Sequence, residues 1–435
     1  MDPTSDALVT GRRDSIPGGA IAFAVLAAIW VGVLARYLDH RIVLSSDSMN
    51  NYVHVWAIAR DLWHHGHLPW RLPVLGHGDA YAYPYGFTNW TTAALVWPAL
   101  GNWGVTLWTA LGAVGCIVAT FVAFPELRRG WWAAAVLANP AIVESLLFGQ
   151  QAFAWAAALL LLGVAAWRRE RRLAAALLVG IGQATHAAIV LPIGVLLVAA
   201  SLPFVVDRRA LLRWYALSVL IALPAVALVF ASPGYADSTM RDRLVNFVGT
   251  LAPRVLVIAL PLMFVLARRT GIRALAPLAL VVSLGANLAL QEPLNVTFQW
   301  HALSRTVSTA SLDSYLHSKE FVPGDTYRVL RGAGDGKLGL YHVVRAGGRL
   351  DSELFPESMA IRSFHGLSDY EQLLCDRHVD FVIAYASYTA SRGTNELVVL
   401  HDLAAAPDSR VRIRAVERGR GHTVYAVDRR GCTTG

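Results

Sequence analysis

QAFAWAAALLLLGVAAWRRERRLAAALLVGIGQATHAA, residues 151–188, consists of two apolar runs separated by a cluster of arginines. The runs cover 151–167 and 173–188, and each approaches the length that crosses the hydrocarbon core of a bilayer. Arginines concentrated in a short connection are typical of the cytoplasmic side of a membrane protein. His186 interrupts the second run at the end that lies far from those arginines.

The composition agrees with lipid as the main solvent of this chain. Of its 435 residues, 55% are hydrophobic and only 16% are charged, whereas soluble domains carry about 25% charged residues. The mean hydropathy is +0.45. The net charge of +8 falls almost entirely before residue 300, so it belongs to the membrane part. No nucleic-acid-binding motif is present, and nucleic acid is excluded as a partner.

Further apolar runs predict about nine membrane helices in a polytopic α-helical fold. A shorter apolar stretch, 91–101, predicts a half-helix. The predicted spans are 19–37, 103–124, 131–146, 151–167, 173–188, 189–206, 211–231, 251–267 and 274–291.

The arginines between the runs predict the topology. If the N-terminus is cytoplasmic, 14 of the 21 basic residues before position 300 fall on the cytoplasmic side, as the positive-inside rule requires. We therefore expect a cytoplasmic tail at 1–18 and a transmembrane domain at 19–300 in a bacterial plasma membrane. The long first loop, 38–90, and a soluble domain, 301–435, then lie on the exoplasmic side.

The soluble domain is predicted to be a small α/β fold. Its predicted strands are Thr326–Arg331, Val379–Tyr385, Val411–Glu417 and His422–Asp428, and its predicted helices are Leu338–Val344 and Tyr370–Arg377. Cys375 and Cys432 both fall in this domain. An exported domain permits them to pair, and two separate thiols are the alternative.

The first outer loop combines an acidic residue, a helix and an aromatic strip. Asp47 directly precedes a helical pattern over Asn50–His65, whose apolar face includes Trp56 and Trp63. Such a helix is expected to lie flat in the membrane interface and to end at Gly66. Asp79 and the strip Tyr83-Pro84-Tyr85 follow. The strip is expected to be either an interfacial aromatic belt or a platform for a sugar ring.

This layout resembles the GT-C superfamily of membrane glycosyltransferases, which use polyprenyl-phosphate sugars. Asp47 matches the acidic residue that opens the first outer loop in that family, Asn50–His65 matches the interfacial helix, and Tyr83-Pro84-Tyr85 matches the returning strip. Many members also end in an exported soluble domain. Many carry two adjacent acids at the first position, whereas here Ser48 follows Asp47.

The resemblance implies roles for residues on the outer side. Asp47 would be the general base, with a plain helix N-cap as the alternative, and Asp79 is the second candidate acid. His54, Arg71, His186, Arg241 and Arg243 would bind the donor phosphate. Tyr83, Tyr85, Glu144, Gln150 and Gln151 would bind sugar or acceptor, although Glu144 and the glutamines have helix capping as their alternative.

The resemblance leaves open whether the activity requires a divalent metal. His64, His65 and His67 fit no usual ligand spacing, so no metal site is predicted there. No other cofactor is expected.

The expected function is an inverting glycosyltransferase that moves a sugar from a polyprenyl-phosphate donor to a cell-envelope glycan, lipid or protein. Two alternatives share the architecture. One is a lipid or glycan transporter, which would place polar residues at mid-span in matched halves. The other is a non-catalytic envelope assembly protein.

Overall fold

The computed structural model describes most of the chain. The described residues are 17–39, 42–43, 48–78, 80–83, 87–203, 205–230, 240–272, 274–294, 310–330, 335–351, 364–385, 395–419 and 421–432.

Helices form nearly all of the described chain before residue 300, which confirms the predicted polytopic helical class. They are α1 Pro17–Leu38, α2 Ser48–Arg60, α3 Phe87–Leu100, α4 Asn102–Ala123, α5 Gly130–Leu137, α6 Pro140–Leu147, α7 Gln151–Arg168, α8 Arg172–Thr185, α9 Ala187–Ser201, α10 Arg208–Phe230, α11 Met240–Thr270 and α12 Leu275–Leu294.

Each predicted apolar run falls mostly within one helix, apart from one that is divided, and the run 173–188 crosses the break at His186 into α9. The run 131–146 forms α5 and α6, because Asn139 caps a new helix through a 3.0 Å hydrogen bond from the Ala141 amide and Pro140 takes its first position. By length and composition, five described segments are able to cross a membrane: Gly18–Leu38, Asn102–Ala123, Gly130–Leu147, Gln151–Arg168 and Arg208–Ala227. Shorter apolar helices are Arg172–Thr185, Ile189–Ser201 and Leu275–Leu288.

The arginine-rich connections meet at one end of this helix bundle. Glu126, in a short turn after α4, lies 2.8 Å from Arg168 at the end of α7 and 3.9 Å from Arg268 near the end of α11. The start of α1 joins the same end, because Gly19 packs directly on the backbone at Gly130–Trp131. We call this the arginine end.

The first loop lies at the opposite end. Helix α2 continues as one π-helical turn, Asp61–His65, and stops at Gly66, whose φ of 75° suits glycine. The helix and its end agree with the prediction, and its flat placement in the membrane interface stays a prediction. Asn50, Asn51 and His54 on its polar face are buried. That face is covered because α3 and the α6–α7 turn pack against it.

The C-terminal domain contains a five-stranded mixed sheet, as the α/β prediction implies. Its strands are β3 Thr326–Leu330, β4 Arg349–Leu350, β5 Phe381–Tyr385, β6 Arg412–Gly419 and β7 His422–Asp428, in the order β4-β3-β5-β7-β6. Strand β3 pairs in parallel with β4 and with β5, and β7 pairs antiparallel with β5 and with β6. A separate two-stranded ribbon in the first loop consists of β1 Arg71–Leu72 and β2 Ala80–Tyr81.

Four helices accompany the C-terminal sheet: α13 Ala310–Leu316, α14 Asp335–Arg345, α15 Leu367–Asp376 and α16 Glu396–Ala405. The four predicted strands and two predicted helices are all present, while β4, α13 and α16 were not predicted. Cys375 at the end of α15 and Cys432 form a disulfide, with their Cα atoms 5.8 Å apart. The alternative of two separate thiols is therefore wrong.

The C-terminal domain rests on the first loop. The Leu350 amide donates a 2.9 Å hydrogen bond to the Val74 carbonyl. The Tyr341 ring on α14 lies 5.9 Å from the Tyr52 ring on α2, and its hydroxyl bonds the side chain of Asn102 at the start of α4. One hydrophobic core is continuous across this contact. The C-terminal domain therefore holds the first loop against the end of the bundle.

Candidate functional site at the first-loop end of the bundle

A buried arginine lies among the helices at the first-loop end. Arg254 on α11 is only 8% exposed, and it interacts electrostatically with Glu144 on α6 and with His186 between α8 and α9. Its guanidinium carbon lies 5.5 Å from the centroid of the Phe153 ring on α7. The cluster Glu144–His186–Arg254 and the adjacent Phe153 thus draw on four separate parts of the bundle.

Local sequence features bring these parts together. The Asn139 side chain, which caps α6, also donates a 2.9 Å hydrogen bond to the Leu256 carbonyl and so ties the start of α6 to α11. Helix α8 stops at His186, whose backbone is extended, and α9 begins at the next residue. His186 is therefore held at a break between two apolar helices, where its side chain is buried among α-helical neighbours.

The charges in this cluster are costly to bury and are arranged to offset each other. An arginine inside a membrane bundle faces a large desolvation penalty, which an acidic neighbour reduces. Glu144 is 5% exposed, and its Oε1 has no hydrogen-bond partner among the described residues. Arg254 offers a cation for an anionic group, and the open acceptor of Glu144 suits a hydroxyl donor on the same ligand.

A chain of hydrogen bonds connects the first loop to this cluster. The Trp90 indole on α3 donates to the Asn51 side-chain oxygen at 2.9 Å, and the Asn51 amide donates to the Gly149 carbonyl at 2.7 Å. Gly149 lies in the turn between α6, which carries Glu144, and α7. The first turn of α2 is therefore fixed against the turn that follows Glu144.

Two buried amide side chains lie next to that chain of hydrogen bonds. Gln151 is 0% exposed and Asn89 is 2% exposed, and the amide oxygen and nitrogen of both lack a hydrogen-bond partner among the described residues. Gln151 follows Gly149 by two residues, and Asn89 directly precedes Trp90. A buried polar group without a partner costs about 1–3 kcal/mol. These amides are therefore suited to hydrogen-bond the hydroxyl groups of a ligand.

His54 is buried in the same part of the first loop. Its ring stacks on Trp90 with centroids 4.1 Å apart, and its Nδ1 donates to the Asn50 carbonyl at 2.8 Å. Burial lowers the pKa of His54 from 6.5 to about 4. At neutral pH this ring carries no positive charge, so its contribution is packing and hydrogen bonding.

The structure brings some of the predicted residues together. Glu144 and His186 share a cluster, and Gln150 and Gln151 lie in the adjoining turn and first residue of α7. Arg71 is exposed on the ribbon strand β1. Tyr83 is 2% exposed, with its ring 4.8 Å from the Phe87 ring, which makes it part of the first-loop core.

Other predicted residues fall outside the described residues. They are Asp47, Asp79, Pro84 and Tyr85. Arg241 and Arg243 lie on α11, where the structure describes the backbone alone.

Arg254 and Asn89 were not predicted as site residues. The signal for Arg254 was present, because it is the one charged residue inside the apolar run 251–267, and a charge inside a span marks a functional candidate. Asn89 gave no such signal, since it stands among polar and aromatic residues before α3.

The described residues contain no group of three or more His, Cys, Asp or Glu side chains that could hold a metal ion. His64 and His65 are exposed, and His65 pairs with Asp61 at 3.5 Å.

Comparisons with known proteins find structural neighbours alone, because no family model and no curated protein matches the sequence. One neighbour is ArnT from Cupriavidus metallidurans bound to undecaprenyl phosphate, which is 13% identical, with a TM-score of 0.48 over 93% of this chain and 97% of that one. Another is the Archaeoglobus fulgidus oligosaccharyltransferase in complex with Zn and sulfate, 13% identical, with a TM-score of 0.46 over 84% of this chain and 68% of that one.

A third neighbour is the archaeal oligosaccharyltransferase AglB from Archaeoglobus fulgidus in complex with an inhibitory peptide and a dolichol-phosphate, 15% identical, with a TM-score of 0.33 over 68% of this chain and 40% of that one. At these TM-scores the likeness gives no residue-by-residue correspondence.

Proposed function

We propose that this protein is a membrane glycosyltransferase that moves a sugar from a polyprenyl-phosphate donor to a cell-envelope acceptor. The observation that carries the proposal is Arg254, a buried cation beside His186 and Glu144 at the end of the bundle where the first loop packs. A lipid-linked phosphate reaches such a site from the bilayer and needs a cationic partner there.

The proposed chemistry divides the residues into three groups. Arg254 and His186 bind the phosphate of the donor, and Arg71, Arg241 and Arg243 attract it from the loop side. Glu144, Gln150, Gln151 and Asn89 hydrogen-bond sugar or acceptor hydroxyls. Asp47 is the general base, with Asp79 as the second candidate, and Tyr83 and Tyr85 support the sugar-binding strip.

The transfer itself is a single displacement with inversion. Asp47 takes the proton of the acceptor hydroxyl while that oxygen bonds to the anomeric carbon. The bond from the anomeric carbon to the phosphate oxygen breaks, and the polyprenyl phosphate leaves with the electron pair. Arg254 stabilises the negative charge that builds on the phosphate. Whether the transfer also requires a divalent metal is left open by this assignment.

We further propose that the site faces the exoplasmic side of the plasma membrane. Positive-inside placement of the arginine end directs the first loop and the C-terminal domain outward. The Cys375–Cys432 disulfide supports this side, because disulfides persist in oxidising compartments.

The decisive experiment compares Asp47→Asn with Asp39→Asn, an exposed acid at the end of α1 that pairs with Arg36. Transfer from a labelled undecaprenyl-phosphate sugar is measured in membranes that contain each variant at equal amounts. Asp47→Asn is expected to lose about a hundredfold or more, the effect of a lost general base, and Asp39→Asn to retain activity. Full activity of Asp47→Asn would remove this residue from the chemistry, and Asp79→Asn then tests the second candidate.

Binding measured beside transfer separates the alternatives. The enzyme is expected to bind undecaprenyl phosphate and to turn over. A wild-type protein that binds it without any transfer would favour the non-catalytic assembly role, and one that moves it between leaflets would favour the transporter.

A further inference from the structure

A cavity lies between the helices at the arginine end, far from the proposed site. It has a volume of about 240 Å³ and is bounded by α7, α8, α9, α10 and α11. His186 and Gln151 lie at the opposite ends of α8 and α7, and α7 alone, with 18 residues, is about 27 Å long. The cavity is therefore separate from the Glu144–His186–Arg254 cluster.

The walls of the cavity are almost entirely hydrocarbon. Leu160, Ala176, Val179, Leu197 and Leu262 are representative of them. An apolar cavity stays free of water and takes apolar ligands, as an engineered cavity of about 150 Å³ does with benzene. The interior of this cavity therefore suits a hydrocarbon chain.

Close packing on one side shows that the cavity is not a product of loose packing. Gly163 on α7 approaches α8 so closely that an added Cβ would lie 2.5 Å from a Val179 methyl group. Helices α7 and α8 are thus already in contact, and the space that remains between them and α10 cannot close by moving them together.

The rim of the cavity carries the groups that face a lipid headgroup. Trp167, Arg168 and Trp214 line it at the arginine end, and tryptophans favour the level of the headgroups. The guanidinium of Arg172 lies 3.7 Å from the centroid of the Trp167 ring. Hydrocarbon walls below an aromatic and cationic rim match the two parts of an amphiphile.

The charge around the rim selects an anionic amphiphile. The described connections at this end, together with the first turns of α10, carry eleven arginines against three acidic residues, Glu126, Glu170 and Asp207. The arginines are 128, 129, 168, 169, 171, 172, 208, 209, 213, 268 and 269. Each basic residue near an anionic lipid surface adds to the attraction for that surface.

We propose that this cavity binds one acyl chain of an anionic phospholipid, with the lipid phosphate held by the arginines of the rim. The site is independent of the glycosyl-transfer proposal, since it lies in the other leaflet and uses none of the residues assigned to transfer. The bound lipid fills the space between α7–α8 and α10 and so stabilises the bundle.

The test measures thermal unfolding of the purified, delipidated full chain with phosphatidylglycerol or phosphatidylcholine of identical acyl chains. Phosphatidylglycerol is expected to raise the melting temperature by about 4 °C at saturating concentration, and phosphatidylcholine by less than about 1 °C. Native mass spectrometry is expected to show one retained phosphatidylglycerol. Equal shifts from the two lipids would overturn the anionic assignment.

Paired variants locate the binding. Val198→Phe places a ring in the cavity, whereas Ala199→Phe places the same ring on the exposed neighbour that does not line it. Val198→Phe is expected to abolish the lipid-dependent shift, and Ala199→Phe to preserve it. Arg213→Gln, beside the lining residue Trp214, is expected to weaken phosphatidylglycerol binding several-fold.

Two outcomes would overturn the proposal. One is an undiminished phosphatidylglycerol shift in a folded Val198→Phe variant, which would place the lipid elsewhere. The other is displacement of phosphatidylglycerol by undecaprenyl phosphate at equal concentration, which would assign the cavity to the lipid carrier. If Val198→Phe fails to fold, Ala176→Trp with Leu177→Trp as its exposed control gives the same comparison.

Discussion

The two ends of the helix bundle treat positive charge in opposite ways. At the arginine end, cations lie at the surface, as with Arg168, whose side chain is 40% exposed and pairs with Glu126 at 2.8 Å. At the first-loop end, Arg254 is 8% exposed and lies between apolar helices with Glu144 and His186. By the positive-inside rule, the first arrangement is expected to orient the protein in the membrane, and the second concentrates charge inside the bundle.

The difference in burial between these arginines indicates which charges matter for chemistry. A surface ion pair contributes about 0–1 kcal/mol, because water and salt screen it. A buried charge costs several kcal/mol of desolvation and persists where it has a partner or a task. Arg254 is therefore the stronger candidate for ligand binding, although the arginine end holds many more cations.

Arg254→Gln is expected to have the largest effect of any substitution in the bundle. Loss of this cation removes the charge that stabilises the leaving phosphate, so transfer from a labelled undecaprenyl-phosphate sugar should fall about 100- to 1,000-fold. Arg268→Gln at the arginine end is the matched control and should change transfer less than about twofold. Equal losses in the two variants would mean that burial does not distinguish the two ends.

Glu144→Gln is expected to affect stability because Arg254 then keeps its charge without its acidic neighbour. Removal of one member of a buried pair costs about 3–5 kcal/mol, which thermal unfolding in detergent measures. The double variant Glu144→Gln/Arg254→Gln is expected to regain part of that loss, since the stranded charge is gone. Strictly additive losses in the double variant would show that the two side chains do not interact.

The sequence predicted the helices well, some of their ends less well, and the charge cluster only in part. Apolar length and interrupting arginines are local signals, so every predicted run from 19–37 to 274–291 corresponds to helix. Asn139-Pro140 is a local signal as well, because an N-cap residue followed by proline starts a new helix and so divides the run 131–146 in two. In contrast, Arg254 interacts electrostatically with Glu144 across more than 100 residues of chain, and no local pattern specifies that interaction.

In the first loop, too, the local sequence pattern predicted the helix but not its contacts with distant parts of the chain. The spacing of Tyr52, Val55 and Trp56 predicted an amphipathic helix, and α2 is one helix as expected. Burial of its polar face was not predicted, because the partners that cover that face are distant in sequence. Asn51 reaches Gly149, and α14 of the C-terminal domain packs on the same helix.

Stability of the first-loop end is expected to fall in acid because of His54. Its pKa is about 4 when folded and about 6.5 when unfolded, so the unfolded chain binds the extra proton between these values. The stabilisation is complete above pH 6.5 and is lost as the pH falls toward 4, by about 3 kcal/mol in total. His54→Gln should flatten this slope in thermal unfolding, whereas His64→Gln, at an exposed position of the same loop, should leave it. A slope unchanged in His54→Gln would assign the acid sensitivity to other groups.

Glu126→Gln at the arginine end is expected to have the smallest effect. The hydrogen bond from Arg168 is the main cause that lowers the pKa of Glu126, so the carboxylate stabilises the fold above its unfolded pKa and loses that contribution as the pH falls below about 4.5. Because both partners are partly exposed, the loss should be about 0.2–1 kcal/mol and should shrink further as salt screens the pair. Thermal unfolding at low and high ionic strength measures it. A loss of stability above about 2 kcal/mol that is insensitive to salt would show that the Glu126–Arg168 pair behaves as a buried pair. The contrast in burial between the two ends would then no longer identify the Arg254 cluster as the functional site.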